Sequence, residues 1–524
     1  MKLSLSLSHR DCLTSVYSAK QVLENEAKVA QHQGIEMFSL MCKAGEAAFK
    51  QLMLSWPTVK HILVVCGKGN NGGDGFIVAK LAKQSGITVK VILLCDEQAL
   101  SGDALRAFEL MKQAVVPYSL DTSNQNTADT IQSFQGDVIV DAIFGIGFHG
   151  ELPNTLRPII SAINHSSASV LSIDVPSGLC ATTGSVSGDE LAEQAVIADH
   201  CVTFIVLKQG LFTGQAGNFV GVITLAELTL GGAFKGQVAS KHSIQAISTK
   251  QKLTKSYLPR RLNTSHKGNI GLLLAVGGNV GMPGAIRLAS EAALRSGAGL
   301  LSVCCHHQNS ALVFSGRAEL IIAANNAEQL TKAKQLSKVK ACLIGPGLGQ
   351  DDWAMALCKL VLDDCNNNNK PLVIDADALH LLASMPKNAQ HIDSAILTPH
   401  PKEASVLLRC DVAEIEKDRF SAVKQIAKKY GGICLLKGAG TLISDGENVV
   451  INTTGNPGMA SGGMGDVLSG IIGALSMQIE DNFYATCIAS YLHGRAADNI
   501  AKKHGQRGML ASDLFVEIQQ LVNE

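Results

Sequence analysis

The sequence predicts an α/β protein made of two successive domains, each built around a mainly parallel sheet. Compact apolar runs rich in β-branched residues alternate with helix-length segments in both halves of the chain. The 524 residues include 50 glycines and 46% hydrophobic residues but only 17% charged ones, which is typical of buried parallel strands joined by tight turns. The alternation lapses near the middle of the chain, and this lapse divides it in two.

Five strands are predicted in the first half, each from a continuous apolar run. They are His61–Cys66, Val89–Cys95, Asp137–Phe144, Val170–Val175 and Cys201–Leu207. A glycine-rich turn follows the first strand, and a helix is expected from about Phe76 to Lys83. Buried strands separated by helical lengths indicate βαβ units and a parallel sheet.

The boundary is expected in residues 229–254, where the sequence becomes small, polar and non-periodic. The domains would then be residues 1–228 and 255–524. The clearest elements of the second domain are the strands Asn269–Val276, Ala341–Gly345, Leu372–Ile374 and Gly432–Leu436 and the helices Ile286–Ser296 and Val467–Met477. The run Asn366–Asn369 is interpreted as a loop tip before a strand.

Composition excludes several classes of protein. Lys and Arg total 45 and so do Asp and Glu, which predicts no basic surface for nucleic acid or an anionic membrane. We find no apolar run of membrane-spanning length and no secretory signal core near residue 1. The 14 cysteines form no C-x-x-C pair, and Cys66, Cys342 and Cys434 lie inside apolar runs, as expected in a reducing compartment. We therefore expect a soluble cytoplasmic protein.

The glycine-rich turn Gly67–Gly75 contains G-x-G-x-x-G, and Asp96 ends the next strand. This pattern could indicate a dinucleotide-binding dehydrogenase. However, a second stretch that begins at Gly145 matches the same expression. Asp74 would also repel a pyrophosphate lying against the turn, so the dehydrogenase interpretation is disfavoured.

Polar residues follow or end several of the predicted strands. Asn71, Asp141 and Ser177 offer hard oxygen atoms at one sheet edge, a set that suits an alkali or alkaline-earth cation better than zinc. Asp174 and Lys208 are expected at the same edge, where ligands of open α/β sheets bind. A carboxylate and an ammonium group in one cleft are candidates for acid/base chemistry.

The motifs G-K-G-N-N-G-G-D-G, D-A-I-F-G-I-G, D-V-P-S-G and K-Q-G-L closely resemble the NAD(P)H-hydrate epimerase family over about residues 16–225. The resemblance implies a Rossmann-like three-layer αβα fold that interconverts the R and S epimers of hydrated NADH or NADPH. It places a potassium ion on Asn71, Asp141 and Ser177. Implied hydrate contacts are Asn70, Asn71, Gly72, Gly73, Asp74, Gly145, Ile146, Gly147, Phe148, His149, Gly150, Glu151 and Asp174. Asp174 is the favoured acid/base group, with Lys208 as the alternative.

In the second domain, Gly463–Asp466 opens an apolar helix. Small residues there let a phosphate approach free backbone N–H groups at the positive end of the helix dipole. Asp466 could take a proton from a substrate hydroxyl. The segment Lys437–Thr441 could form a nucleotide phosphate cradle. No G-x-x-x-x-G-K-[ST] motif is present, which excludes a P-loop ATPase by motif.

The second half resembles the NAD(P)H-hydrate dehydratase family over about residues 236–520, through G-M-P-G-A-I-R-L-A-S, G-P-G-L-G, D-A-D-A-L, K-G-A-G-T and G-M-G-D-V-L-S-G. The family's T-P-H-P-G-E appears with Lys402 in place of glycine. The resemblance implies a ribokinase-like αβα fold and ADP-driven dehydration of the S hydrate, giving NAD(P)H, AMP and phosphate. Implied hydrate contacts are Ala285, Gly347, His400 and Asp466; implied nucleotide contacts are Lys437, Gly438, Ala439, Gly440, Thr441 and Gly465.

The expected partners are therefore NADH hydrate, NADPH hydrate and ADP, carried with Mg²⁺, and a homo-oligomer is expected by analogy with the dehydratase family. NADH and NADPH hydrates, and ADP and ATP, remain alternatives. His400 alone is as readily a structural residue as a ligand contact. Two rival functions stay open: a ribokinase-type kinase with a regulatory first domain, and a non-enzymatic binding module in the first domain.

Overall fold

The computed structural model describes residues 13–120, 124–240, 242–245, 258 and 260–524. The chain forms two compact units. The N-terminal unit is Ser15–His242, and the C-terminal unit is Ser243–Glu524 together with Leu13 and Thr14. The two division points lie in short strands, β1 (Leu13–Val16) and β9 (His242–Gln245).

Seven parallel strands form the sheet of the N-terminal unit, in the order β4-β3-β2-β5-β6-β7-β8. They are β2 (His61–Cys66), β3 (Thr88–Leu93), β4 (Tyr118–Leu120), β5 (Val138–Ala142), β6 (Ser169–Ile173), β7 (His200–Phe204) and β8 (Val222–Ala226). The helices are α1 (Ala19–His32), α2 (Met37–Ser55), α3 (Asn70–Gln84), α4 (Gly102–Gln113), α5 (Asn124–Gln132), α6 (Arg157–His165), α7 (Leu191–Gln194) and α8 (Gly231–Gln237).

Alternate residues of β2 pack into different cores, which makes this unit a three-layer αβα structure. Ile62 and Val64 belong to a cluster with Phe76, whereas Leu63 and Val65 belong to a cluster with the α6 side chains. Successive side chains of a strand point to opposite faces of the sheet, so helices cover both faces. The expected α/β class is confirmed.

The C-terminal sheet has the strand order β1-β9-β18-β17-β16-β15-β14-β13-β10-β11-β12. Its strands after β9 are β10 (Leu272–Val276), β11 (Leu300–Cys304), β12 (Ile321–Ala324), β13 (Val339–Ile344), β14 (Leu372–Ile374), β15 (Ala395–Leu397), β16 (Ile433–Leu436), β17 (Thr441–Ser444) and β18 (Val449–Asn452). The pairs from β12 to β16 are parallel, as expected, but β16, β17 and β18 pair antiparallel. The strands β11, β12, β15, β17 and β18 of this sheet were not predicted from the sequence.

The C-terminal helices are α9 (Lys267–Ile270), α10 (Pro283–Arg295), α11 (Ser310–Phe314), α12 (Ala327–Lys332), α13 (Asp352–Asn368), α14 (Asp377–Ser384), α15 (Pro401–Leu408), α16 (Val412–Lys417), α17 (Arg419–Tyr430), α18 (Met464–Leu475), α19 (Asn482–His504) and α20 (Leu514–Leu521). A large core joins α10, α18, α19 and α20 to one face of the sheet. Among the described residues, no helix has the length and apolar character needed to cross a membrane.

Helix α3 begins at Asn70, six residues before the start expected from the sequence. Gly72, Gly73 and Gly75, which were interpreted as part of a turn, instead lie in the first turns of this helix. A Cβ on Gly72 would lie 2.0 Å from the carbonyl oxygen of Gly67, and one on Gly75 would lie 2.6 Å from the Cβ of Ala142. The glycines therefore serve to bring the helix close to β2 and β5.

The asparagine run Asn366–Asn369 is not a loop tip, because α13 continues to Asn368. Buried Cys365 holds the last turn against the core, and the Asn368 amide donates to the main-chain oxygen of Asp364 over 2.9 Å. Asn369 then ends the helix in the left-handed conformation, which asparagine tolerates better than most residues.

All thirteen described cysteines are free thiols, and nine of them are buried. Cys66, Cys342 and Cys434 lie on buried strands, as expected from the apolar runs around them. Burial raises the pKa of the Cys66 and Cys434 thiols and raises that of Cys358 to about 12. These groups are therefore un-ionised at neutral pH.

Candidate active sites

The carboxyl ends of β2, β5, β6 and β7 lie side by side in the N-terminal unit. The chain order reverses between β2 and β5, since β3 and β4 lie on one side and β6 to β8 on the other. Such a switch point opens a crevice in which ligands of α/β sheets bind. The first turn of α3 follows β2, and the Gly145–Glu151 loop follows β5, so the two predicted hydrate-binding segments flank this crevice.

The crevice holds a cavity of about 600 Å³. Its lining includes most of the residues expected to contact the hydrate, namely Asn70, Asn71, Asp74, Gly145, Ile146, Gly147, Phe148, His149, Glu151 and Asp174, and also Lys208. Gly72, Gly73 and Gly150 do not line it; Gly73 packs against Met41 instead. Asp96, the acid of the dehydrogenase interpretation, is also outside the lining.

Asn71, Asp141 and Ser177 converge on the main chain of Phe144. The Asn71 amide donates to the Phe144 carbonyl oxygen over 2.9 Å, and the Phe144 N–H donates to Ser177 Oγ over 2.8 Å. Ser177 Oγ in turn donates to Asp141 Oδ1 over 2.6 Å. The structure thus brings the three predicted cation ligands into one network.

Asp141 is fully buried at 0% exposure and forms no ion pair with a described residue. Its carboxylate accepts hydrogen bonds from the Ser177 hydroxyl, the Ser177 N–H, the Ser172 hydroxyl and the Ile143 N–H. Burial raises the pKa of Asp141, and the two serines oppose that rise. A buried carboxylate without a positive partner is costly, so a bound cation would stabilise this site.

Asp174 and Lys208 form a buried ion pair, with 2.6 Å between Lys208 Nζ and Asp174 Oδ1. Nζ also donates to Thr203 Oγ1 and to the Phe204 carbonyl oxygen, so all three of its protons are engaged. Asp174 Oδ1 further accepts from Thr203 Oγ1 and from the Phe204 N–H, but Oδ2 accepts only from the Ile146 N–H. Oδ2 therefore retains an acceptor position.

The backbone of Asp174 has φ +65°, in the left-handed region that most side chains avoid. This conformation directs the chain out of β6 toward Ser177, and aspartate is among the few residues that adopt it readily. The position thus combines a carboxylate with a backbone shape that would otherwise favour glycine.

Two further carboxyl groups, Asp74 and Glu26, share the cavity with this pair. Burial raises the pKa of Asp74 well above its usual range, and Asp174 and Glu26 add to that rise. Burial also raises the pKa of Glu26, which Lys208 lowers and Asp174 raises further. Neither carboxyl group makes a hydrogen bond or ion pair with any residue in the described part of the chain.

In the C-terminal unit, Asp375 and Lys437 meet at the corresponding edge of the sheet. Asp375 follows β14, Lys437 follows β16, and Lys437 Nζ lies 2.9 Å from Asp375 Oδ1. Ser469 of α18 donates to Asp375 Oδ2 over 2.7 Å. Burial would raise the pKa of Asp375, but Lys437 and Ser469 outweigh it and the pKa is lowered. Asp375 is thus an ionised anchor for the lysine.

Asp466 lies in the first turn of α18, beside this anchored pair. A Cβ on the preceding residue, Gly465, would lie 3.4 Å from Lys437 Nζ and 3.9 Å from Asp375 Oδ2. Burial raises the pKa of Asp466 to about 7, and the charge of Asp375 contributes to the rise while Lys437 opposes it. The predicted general base is therefore poised near neutral pH, at a helix N-terminus that favours anions.

Arg419 supports the main chain at the start of the predicted nucleotide loop Lys437–Thr441. It is only 1% exposed and donates to the carbonyl oxygens of Leu436 and Lys437. Gly438, at φ +142°, would place a Cβ 2.7 Å from the guanidinium group. The glycine thus permits the close approach of Arg419, and the Thr441 hydroxyl closes the loop by donating to the Gly438 carbonyl oxygen.

His400 caps α15 rather than standing free. Its ring Nδ1 accepts from the main-chain N–H groups of Lys402 and Glu403. The main-chain N–H of His400 donates to Glu403 Oε2 over 2.8 Å. Burial lowers the pKa of His400, so the ring is neutral at physiological pH. Glu403 Oε2 also lies 3.7 Å from Lys437 Nζ, so this helix cap is next to the Asp375–Lys437 ion pair.

Ala285 and Gly347 lie next to each other, as a joint role in binding requires. A Cβ on Gly347 would lie 3.3 Å from that of Ala285, and the Gly347 carbonyl oxygen accepts from the Asn279 N–H over 2.7 Å. The Asn279 amide also donates to the Leu348 carbonyl oxygen and to Asp351. Asn279 therefore joins the segment before α10, the helix that carries Ala285 in its first turn, to the segment after β13, which carries Gly347.

Three residues of these sites were not singled out from the sequence: Glu26, Asn279 and Arg419. Asp375 and Glu403 were noted at strand ends, within the motifs D-A-D-A-L and T-P-H-P-G-E, but were given no role. Glu26 lies on a helix without a recognisable motif, and Arg419 is an isolated cation, so no local sequence pattern marks either residue as part of a site. Asp375 and Lys437 are 62 residues apart and share no motif, so only the fold shows that their side chains meet.

Comparisons with known proteins match both units. A family model described as NAD(P)H-hydrate dehydratase matches residues 273–520, and one described as YjeF-related protein N-terminus matches residues 38–210. The chain is 41% identical over 511 residues to the bifunctional NAD(P)H-hydrate repair enzyme Nnr of Escherichia coli K12, covering 97% of this chain and 94% of that protein. Its identity to the protein of the same name from Coxiella burnetii is 40% over 524 residues, covering 98% and 100% respectively.

Among solved structures, the ADP/ATP-dependent NAD(P)H-hydrate dehydratase from Bacillus subtilis, co-crystallised with ATP/Mg²⁺, is 30% identical. The match covers 51% of this chain and 95% of the Bacillus subtilis chain, with a TM-score of 0.45.

Proposed function

Because this chain belongs to the family of bifunctional NAD(P)H-hydrate repair enzymes, we propose that it restores NADH and NADPH from their hydrates in two reactions. The N-terminal domain, residues 1–228, epimerises the R and S hydrates. The C-terminal domain, residues 255–524, dehydrates the S hydrate at the expense of ADP, which is carried with Mg²⁺. The observation that carries this proposal is the 41% identity to a bifunctional repair enzyme along 97% of the chain.

Epimerisation requires breaking a bond at one carbon of the hydrated ring. Water adds to an enamine at the carbon bonded to nitrogen, so the hydrate is a hemiaminal and its epimers differ at that carbon. Removing the hydroxyl proton lets the carbon–nitrogen bond open to an aldehyde, which can close on either face. Asp174 accepts that proton through Oδ2, and Lys208, whose three protons are engaged, positions the carboxylate rather than exchanging protons.

Potassium fits the residues of the N-terminal site. Asn71, Asp141 and Ser177 belong to one hydrogen-bonded network and carry amide, carboxylate and hydroxyl oxygens, the hard ligands that such a cation takes. A bound potassium ion supplies positive charge for a negatively charged part of the substrate. Asp141 offers the negative charge that would hold the ion, since no described residue forms an ion pair with it.

In the C-terminal domain, Asp466 accepts the proton of the ring hydroxyl as its oxygen attacks the β-phosphorus of ADP. Lys437 and the first turn of α18, including Gly465, hold the phosphates, and the loop Lys437–Thr441 receives the nucleotide. AMP leaves, and the phosphorylated hydroxyl then departs as phosphate because the ring nitrogen supplies the electron pair. The neighbouring ring carbon loses a proton to solvent, which restores the double bond of NAD(P)H. Ala285, Gly347 and His400 line the hydrate side of this site.

A homo-oligomer and a cytoplasmic location complete the proposal. The first rests on analogy with the dehydratase family, and the second on the buried free thiols, which suit a reducing compartment.

One assay tests both reactions. The purified protein is mixed with racemic NADH hydrate and excess ADP, and the absorbance of restored NADH is followed. Full recovery at enzyme-dependent rates is expected. Recovery that stops near half would leave the N-terminal domain a binding module. No recovery with ADP or ATP would favour the ribokinase-type kinase instead.

A further inference from the structure

Ring opening moves two protons, and the Asp174–Lys208 pair can move only one. The hydroxyl oxygen must lose a proton, and the ring nitrogen must gain one as its bond to carbon breaks. Asp174 Oδ2 has a free acceptor position for the first transfer. Lys208 cannot serve the second, because its protons are held by Asp174, Thr203 and Phe204 and its side chain is 2% exposed.

Glu26 is placed to make the second transfer. It lies on α1 and lines the cavity that Asp174 and Lys208 also line. Its carboxyl group makes no hydrogen bond or ion pair with a described residue, so the group is available to a ligand. The other charged or titratable side chains of the cavity are Lys68, Asp74, Asp103, His149 and Glu151.

We propose that Glu26 is the second proton-transfer group of the epimerase cavity, an inference that rests on the proposed epimerase function. Asp174 takes the hydroxyl proton, the carbon–oxygen bond becomes a carbonyl, and the carbon–nitrogen bond breaks. Its electron pair stays on the ring nitrogen, which takes the proton of the Glu26 carboxyl group. After rotation of the aldehyde, the nitrogen attacks its opposite face, returns its proton to Glu26, and the new hydroxyl recovers its proton from Asp174. No net proton is gained or lost.

The surroundings of Glu26 favour its protonated form over the ionised one. Burial raises its pKa, Lys208 opposes the rise and the carboxylate of Asp174 adds to it. Asp74 faces the same space from α3, and its own pKa is raised by burial and by Asp174 and Glu26. Carboxyl groups that share a site do not all ionise together. An acid of this kind is active below its pKa and inactive above it, so it sets the alkaline limb of the rate profile.

The test compares Glu26→Gln and Glu26→Asp with a matched control, Glu24→Gln, and adds Asp74→Asn because Asp74 is the rival acid of the cavity. Glu24 is on the same helix, but its side chain is 57% exposed and lies 3.7 Å from Lys20. The full-length protein is given hydrate enriched in the R epimer without ADP, and chromatography follows formation of the S epimer from pH 5 to 10. The uncatalysed rate is subtracted. Dehydration of pure S hydrate with ADP is measured in parallel.

Glu26→Gln should lower kcat for epimerisation by about 100-fold or more, with a much smaller change in KM, and should abolish the alkaline limb. Glu26→Asp should recover part of kcat together with that limb, and Glu24→Gln should behave as the wild type. Dehydration of the S hydrate should be unchanged in all three. Wild-type kcat in Glu26→Gln, or a rise in KM alone, would overturn the inference. So would loss of the alkaline limb in Asp74→Asn but not in Glu26→Gln. A wild-type protein that fails to epimerise would instead contradict the proposed function.

Discussion

Replacing Lys208 by methionine removes the charge of the buried pair with little change in shape. Methionine retains most of the aliphatic length, so the packing of the stem is kept while three donated hydrogen bonds are lost. Asp174 is then left as a buried carboxylate, with its side chain 9% exposed. The variant therefore measures the loss of the charge and its hydrogen bonds while the packing of the stem is kept.

Breaking a buried ion pair by removing one partner costs about 3–5 kcal/mol. Asp174 keeps the N–H groups of Ile146 and Phe204 and the Thr203 hydroxyl as donors, so we expect the lower end, about 3 kcal/mol. A unit of this size loses about 2–3 kcal/mol of stability per molar urea. The unfolding midpoint of the N-terminal unit should therefore fall by about 1–1.5 M.

The two tryptophans of the chain give a clean assay, because Trp56 is in the N-terminal unit and Trp353 in the C-terminal unit. In a Trp353→Phe background, Trp56 fluorescence reports urea unfolding of the N-terminal unit. Asp174→Asn and the double variant complete the cycle, and the double variant should cost less than the sum of the single losses. A loss below about 1 kcal/mol in Lys208→Met, or strict additivity, would refute the reasoning.

Three further outcomes are expected. The pKa of Asp466 is raised to about 7, and a base must be ionised, so kcat for dehydration should fall about tenfold per pH unit below that value. Asp466→Asn should abolish dehydration while leaving epimerisation intact. A flat pH profile of kcat down to pH 5 would contradict the role of Asp466 as the base. Asp141→Asn should raise the potassium concentration for half-maximal epimerisation by about tenfold or more, and an unchanged potassium titration would argue against the cation site. Gly72→Ala, whose Cβ would lie 2.0 Å from the Gly67 carbonyl oxygen, should cost the N-terminal unit about 1–3 kcal/mol. The control Gly69→Ala, with no atom within 4 Å of its Cβ, should change stability by less than about 0.5 kcal/mol, and equal losses would mean that close packing is not the reason for glycine at residue 72.

The sequence predicted the α/β class and the central strands because continuous apolar runs such as His61–Cys66 permit few other structures. Element boundaries were less accurate where one residue type serves two purposes. Glycines typically interrupt helices, but those of α3 lie inside the helix and allow its close approach to β2 and β5. The strands β17 and β18 were not predicted, although each has four residues, as many as β16, which was.

The candidate sites were predictable as far as their residues lie next to strand ends. Asn71, Asp174 and Lys208 could be placed at one edge because parallel strands end on the same side. Glu26 and Arg419 could not, since they reach their sites from helices and a single sequence does not reveal which helix face meets a cavity. The division of labour between Asp174 and Lys208 depends on individual hydrogen bonds, which no sequence pattern encodes.

The buried cysteines give this protein an internal set of chemical probes. Cys66 and Cys201 lie on strands of the N-terminal unit, and Cys342 and Cys434 lie on strands of the C-terminal unit. A thiol reagent reaches such sulfurs when their strand separates from its neighbours, so the labelling rate measures how often each unit opens. Mass spectrometry of the labelled peptides would then rank the two units by opening free energy in one unmodified sample, without dye, denaturant or substitution.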